Sequence, residues 1–248
     1  MPLSPPPAAP SQSALAAWAG LATPEGFYRF AGRSIPWFTL AATLLGVAGL
    51  YVGFAVAPVD PRQGEVHRIA YLHVPTAAMS VFLYGWVVAW AAVGAATGSR
   101  LPSMMALALA PTGAVCTFIA LWTGAIWGKP TGGTWWSWDA ALTAELVLLA
   151  VYLAFLALHA AIDDPRRADR ASAVVAFAGA AAVAATYASL RWGSDAPQEG
   201  FAALEALPGD GLAILAGMAM TAGAMWMYAF AISFARVRCV ILEREAAA

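Results

Sequence analysis

Charge is what this chain has least of. Asp, Glu, Lys and Arg make up 11% of its 248 residues, and apolar side chains make up 61%. Soluble domains are about 25% charged and roughly 45–50% apolar. A water-exposed globule needs polar residues to cover its surface, and the shortage here excludes a soluble enzyme. A disordered chain would need the opposite composition. Net charge is −1, so no bulk field recruits nucleic acid or another polyanion. Cysteine is scarce as well. Cys116 and Cys239 form no C-x-x-C pair, which argues against thiol-redox chemistry.

What is abundant is long apolar sequence, and the lipid bilayer is the natural solvent for it. A spanning helix needs about 20 mostly apolar residues. Six stretches between charged side chains meet that length: 34–59, 69–99, 101–128, 140–162 (interrupted only by Glu145), 171–190 and 211–235. They are too long for sheet strands, and barrel strands would alternate. The expected fold is an all-α integral membrane protein with six transmembrane helices. Lys and Arg set its orientation, because cytoplasmic loops carry the excess. Nine of the thirteen (Arg29, Arg33, Arg100, Arg166, Arg167, Arg170, Arg236, Arg238 and Arg244) fall on the side of the termini. Arg62, Arg68, Lys129 and Arg191 fall on the other. Both termini are therefore expected in the cytoplasm.

The expected organisation has three parts. Residues 1–33 form an N-terminal segment that is disordered and then interfacial; its early prolines and lack of a leading basic residue do not suit a secretory signal. Residues 34–238 form the membrane domain, with an outward Trp-rich loop over 124–139. Residues 239–248 form a cytoplasmic tail. The Ala-rich fifth span suits close helix packing.

That outward loop carries the densest signal. Five of the eleven tryptophans lie between Trp122 and Trp138. An aromatic belt at the membrane interface accounts for scattered indoles. A rigid shelf for a large flat apolar ligand accounts for Trp135, Trp136 and Trp138 standing next to Gly132 and Gly133, where backbone can approach a partner closely. A surface for docking another protein is a third reading. Asp139 is placed to cap the following helix and fix the shelf to it, and Lys129 stands ready for an anionic group.

Histidines give the second signal. His73, in Tyr71-Leu72-His73-Val74-Pro75, stands at the outer mouth of the second span, with Pro75 suiting a first helical turn. A neutral imidazole there either ligates haem iron or bonds to water or a loop carbonyl. His67 reads as solvated. His159 reads as paired with Asp163 at i+4. Glu145, the one carboxylate within a span, is a functional hypothesis by default and is expected to orient a loop group or a neighbouring helix.

Together these residues resemble a known family. The run Trp127-Gly128-Lys129-Pro130 through Gly133-Thr134-Trp135-Trp136-Ser137-Trp138-Asp139, then Ala-x-Leu-Thr-x-Glu-Leu, is similar to the haem exporter protein C (CcmC) family of cytochrome c-type biogenesis. So is the run around His73. The resemblance extends from about residue 30 to 238. The Trp motif is shared with larger cytochrome c synthetases, but those carry proline after the motif aspartate, where this chain has Ala140.

The resemblance implies a haem-handling, non-enzymatic protein of the bacterial inner membrane. Haem b would rest on the periplasmic face, with His73 as axial ligand to the iron. Trp127, Trp135, Trp136, Trp138 and Asp139 would form the platform, with Gly132, Gly133 and Lys129 beside it. Arg62, Arg68, Lys129 or Arg191 would meet the propionates. The implied partners are a CcmE-type periplasmic haem chaperone, the ABC transporter subunits CcmA and CcmB, and the small membrane peptide CcmD. One departure matters. The family's second axial histidine belongs to the third outward loop, which here has none between Leu190 and Glu199. The iron is then five-coordinate, or water or another side chain fills the sixth position, or haem is held with reduced affinity. A secondary transporter, which needs broken helices and mid-membrane polar pairs, is the alternative function. A respiratory anchor with haem inside the bundle fits the histidine positions poorly.

Overall fold

The computed structural model describes residues 22–193 and 211–246. They form six helices: α1 (Pro24–Tyr51), α2 (Ala70–Thr97), α3 (Arg100–Gly132), α4 (Ala140–Ala161), α5 (Pro165–Gly193) and α6 (Gly211–Ala246). A π-helical stretch, Val52–Val56, prolongs α1, and a 3-10 helix, Glu65–Ile69, leads into α2. Among the described residues six helices are long and apolar enough to cross a membrane, as the charge-free runs anticipated.

The helices overrun those runs because charge marks where hydrocarbon ends, not where a helix ends. α1 starts ten residues before its charge-free run, at Pro24. Thr23 caps it, accepting the Gly26 amide at 3.2 Å, and proline suits the first helical position. Pro75 lies inside α2 rather than in its opening turn, because the 3-10 helix and Ala70 carry the helix start further back.

Connections are short on the side of the termini. Gly98, with φ +66°, ends α2 by donating its amide to Gly94 O at 2.9 Å. Ser99 then opens α3, so α2 and α3 form an antiparallel pair. Asp164 accepts the Arg167 amide at 2.7 Å where α5 begins, and α4 and α5 form a second pair. α1 packs on α6, while α3 sits at the centre against α2, α4 and α6.

Backbone proximity is obtained at small residues. A Cβ on Gly113 of α3 would lie 2.1 Å from the Tyr152 hydroxyl of α4, and one on Gly179 of α5 would lie 2.3 Å from that of Tyr84 in α2. The outward faces are apolar, with Trp37, Leu44 and Val47 of α1 exposed, as a lipid-facing surface requires.

Polar ties close the terminal end. Asp169 of α5 takes both guanidinium nitrogens of Arg244 in α6, at 2.7 and 2.9 Å. His159 joins the same carboxylate at 3.2 Å. This corrects the expected His159–Asp163 pair: α4 ends at Ala161, so Asp163 is past the helical register, and Asp169 folds back from the next helix instead. Arg238 stacks over Tyr28, 4.2 Å from its ring centre, and pins α6 to α1.

Candidate functional site

The opposite end carries the loop 57–64 and the Trp-rich segment. Asp60 organises the loop: its Oδ1 accepts the Arg62 and Gln63 amides, each at 2.7 Å. The Gln63 amide above all holds this carboxyl below its ordinary range, against the opposing effect of desolvation. His67 was expected to be solvated, yet it is buried, with Nδ1 2.9 Å from Gly64 O. The turn at Gly64, φ +61°, folds the loop back over the ring. Arg68 is also committed. Its guanidinium pairs with Glu65 and donates to Gly53 O at 2.5 Å, capping the carbonyls where α1 ends. It is therefore withdrawn from the cations expected to meet an anionic ligand. Arg62 is exposed.

His73 lies in the first turn of α2 and leans on α3. Its Nδ1 is 3.1 Å from the Ala120 carbonyl oxygen and 3.0 Å from Thr123 Oγ1. The carbonyl only accepts. The Thr123 hydroxyl donates to Ile119 O at 2.7 Å, so its oxygen also acts as acceptor toward the ring. Both partners therefore require a proton on Nδ1, which leaves the lone pair on Nε2. Among the described residues Nε2 has no hydrogen-bond partner. A ligating histidine needs this arrangement: one nitrogen fixed by a backbone carbonyl, the other basic and free.

The tryptophans begin beside this ring. Trp127 meets His73 edge to face, with centroids 5.7 Å apart at 80°. Its indole N–H donates to Gln63 Oε1 at 2.8 Å, joining the first loop to the Trp-rich segment. Gly124, one turn earlier, makes room for the imidazole: a Cβ there would lie 3.2 Å from His73 Cε1 and 2.8 Å from Leu142 Cδ2.

The Trp-rich segment is less of a loop than expected. α3 continues to Gly132, so Trp127 and Lys129 stand on a helix and only 133–139 is irregular. Gly133 has φ +78° and donates its amide to Lys129 O at 3.1 Å; helix termination accounts for glycine there. Lys129 Nζ bonds Gly133 O at 3.0 Å.

Trp135 and Trp138 are 60% and 78% exposed, a large apolar area presented outward beyond the helix end. Trp136 is half-buried and meets Trp138 edge to face at 5.5 Å. Its indole N–H is buried without a partner among the described residues. Asp139 caps α4 as expected, accepting the Ala141 and Leu142 amides at 2.9 and 3.0 Å while Ser137 bonds its other oxygen. Residues 194–210 and the side chains of Arg191 and Trp192 lie outside the described residues.

A family model for heme exporter protein C (CcmC) matches residues 17–248. The chain belongs to the heme exporter protein C family. Heme exporter protein C of Escherichia coli K12 is 42% identical over 172 residues, covering 69% of this chain and 70% of the relative. That of Paracoccus denitrificans is 34% identical over 230 residues, 92% and 94% of the two chains. That of Bradyrhizobium diazoefficiens is 44% identical over 161 residues, 64% and 60% respectively. With its six apolar helices, this member of the family is a multi-pass membrane protein.

Proposed function

We propose that the chain holds haem b on the periplasmic face of the bacterial inner membrane and hands it to a periplasmic haem chaperone for c-type cytochrome maturation. The family's name supports haem export. The observation that carries the site is the His73 ring, whose Nδ1–H is held by two acceptors and whose Nε2 is free, in edge contact with Trp127 on the helix that leads to the exposed indoles. The excess of basic residues near the termini supports placing this end on the periplasmic side.

In this reading His73 Nε2 ligates the iron. Trp127, Trp135, Trp136 and Trp138 cover the porphyrin face, and Asp139 fixes the indoles to the end of α4. Gly132 and Gly133 close α3 beside them. Propionates need cationic partners near a low-dielectric surface. Lys129 and Arg62 supply them, since Arg68 is bound inward. No side chain makes or breaks a bond. The protein holds and releases its cargo, so one edge of the haem stays accessible and binding stays reversible. CcmA, CcmB and CcmD-type subunits are the proposed membrane partners.

The test uses haem-loaded protein in nanodiscs with a soluble CcmE-type acceptor. Haem should move to the acceptor, and a blocking tag on the 57–64 loop should stop the transfer. A blocking tag at the C-terminus should not. Transfer blocked only from the C-terminal end contradicts the reading. The seat of the imidazole gives a second expectation. Gly124→Ala pushes on a ring held by two hydrogen bonds, whereas the Leu142 methyl can swing away. The variant should keep its fold and bind haem about tenfold more weakly, the lower range for disturbing the orientation of a metal ligand. Haem titration of purified protein checks it.

A further inference from the structure

A buried polar group in the bundle lies outside the haem site but is connected to it by two helices. Glu145 of α4 and Ser80 of α2 are both buried. Ser80 Oγ lies 3.0 and 3.1 Å from the two carboxyl oxygens of Glu145 and 2.7 Å from Ala77 O. One helical turn pair further along α4, the Tyr152 hydroxyl donates to the Ser80 carbonyl oxygen at 2.8 Å. Two polar rungs thus join α2 to α4 at a single residue. Tyr152 passes across Gly113 of α3, where a Cβ would overlap it.

The position of the rungs is informative. Ser80 follows His73 by seven residues, about 10 Å along α2 and within about 20° of the same face. Glu145 follows Asp139 by six residues and Leu142 by three, and Leu142 touches the same Gly124 seat as the imidazole. α2 carries the candidate ligand and α4 carries the cap to which Trp138 is joined. A slide or rotation of one helix against the other moves the imidazole relative to the indoles. Both helices pack against α3 between them, and they meet directly at the Tyr84–Tyr152 ring pair and at these hydrogen bonds, which act in lipid as specific ties.

We infer that the Ser80–Glu145–Tyr152 contact is the strut that sets the register of the His73 helix against the Trp-bearing helix, which makes Glu145 and Ser80 positioning residues for haem binding. The inference rests on the proposed haem reading.

The experiment compares wild type, Glu145→Leu, Ser80→Ala and Glu145→Gln, each purified in detergent and titrated with haem. Folded yield and thermal unfolding are followed alongside the ferric haem spectrum. Glutamine can keep the bond to the Ser80 hydroxyl; leucine cannot. The expected result is that E145L and S80A bind haem about tenfold more weakly, as outer partners of metal ligands do, and show a displaced Soret band. E145Q should restore the wild-type band. A purely structural tie would shift unfolding and leave the spectrum of the folded fraction unchanged, and that result overturns the inference. E145Q behaving as badly as E145L overturns it too. Should E145L fail to fold, S80A decides, because it removes only one hydroxyl. Wild type that takes up no haem rejects the haem reading itself, and the strut with it. Wild-type haem binding with indifferent variants rejects the strut alone.

Discussion

Replacing His73 by alanine is expected to abolish tight haem binding, lowering affinity by at least about a hundredfold. Outer-shell partners of metal ligands cost ten- to hundredfold when removed, and loss of the ligand itself exceeds that. The fold should survive. The imidazole is half-buried at the end of the bundle, and its two partners have other bonds: Thr123 reaches Ile119 O and Ala120 O within its own helix. Imidazole added to the medium should partly restore the spectrum by entering the vacated space. His67→Ala gives the contrast. Its ring bonds Gly64 O and packs 6.1 Å from Tyr71, partners that His73 does not share, so that variant should loosen the loop and keep the ligation. Absorption spectra of the two variants, at matched folded protein, check this.

The second large effect concerns Trp135 and Trp138, the indoles most exposed in the 133–139 segment. Replacing both by alanine is expected to weaken haem binding by roughly five- to hundredfold, from about 0.5–1.5 kcal/mol per aromatic contact. Membrane insertion should be unaffected. The control is a double replacement of Trp37 and Trp122, which are 73% and 61% exposed on α1 and α3 but stand on lipid-facing helix surfaces. If the segment were only an interfacial belt, the two double variants would behave alike. If it is a platform, only the first loses haem. Haem titration together with alkaline extraction of membranes distinguishes the two.

Much of the fold was legible because lipid makes a coarse demand: a long run without charge must become a helix that satisfies its own backbone. All six runs became helices. Their ends were not legible from charge, since helices extend past the hydrocarbon until a cap stops them, as Thr23, Gly98 and Gly133 do. The Trp-rich segment illustrates this best. The segment 124–139 between two charge-free runs was expected as a loop, yet α3 absorbed most of it and placed Trp127 on a rigid helix, against His73.

Side-chain partners were legible only where they are local. Asp139 capping α4 follows from its position alone. His159 pairing with Asp169 and Arg244 does not, because Arg244 is 85 residues away in sequence. His67 looked solvated among polar neighbours, and only the backward turn at Gly64 buries it. Glu145 was recognisable as unusual, since carboxylates within spans are rare. Its partner was invisible: Ser80 is one serine among many, with no pattern to mark it. Tyr152 could have been suspected from Gly113 had the two helices been known to cross there.

In the proposed reading, Nε2 of His73 is the protein's bond to haem iron. Pulsed electron paramagnetic resonance on ferric haem-loaded protein, with only histidine labelled with 15N, tests it most directly. Wild type should show a 15N hyperfine coupling of the size expected for a directly bound imidazole, and His73→Ala should show none. A coupling that persists undiminished in His73→Ala, or that is absent from the haem-loaded wild type, contradicts the account.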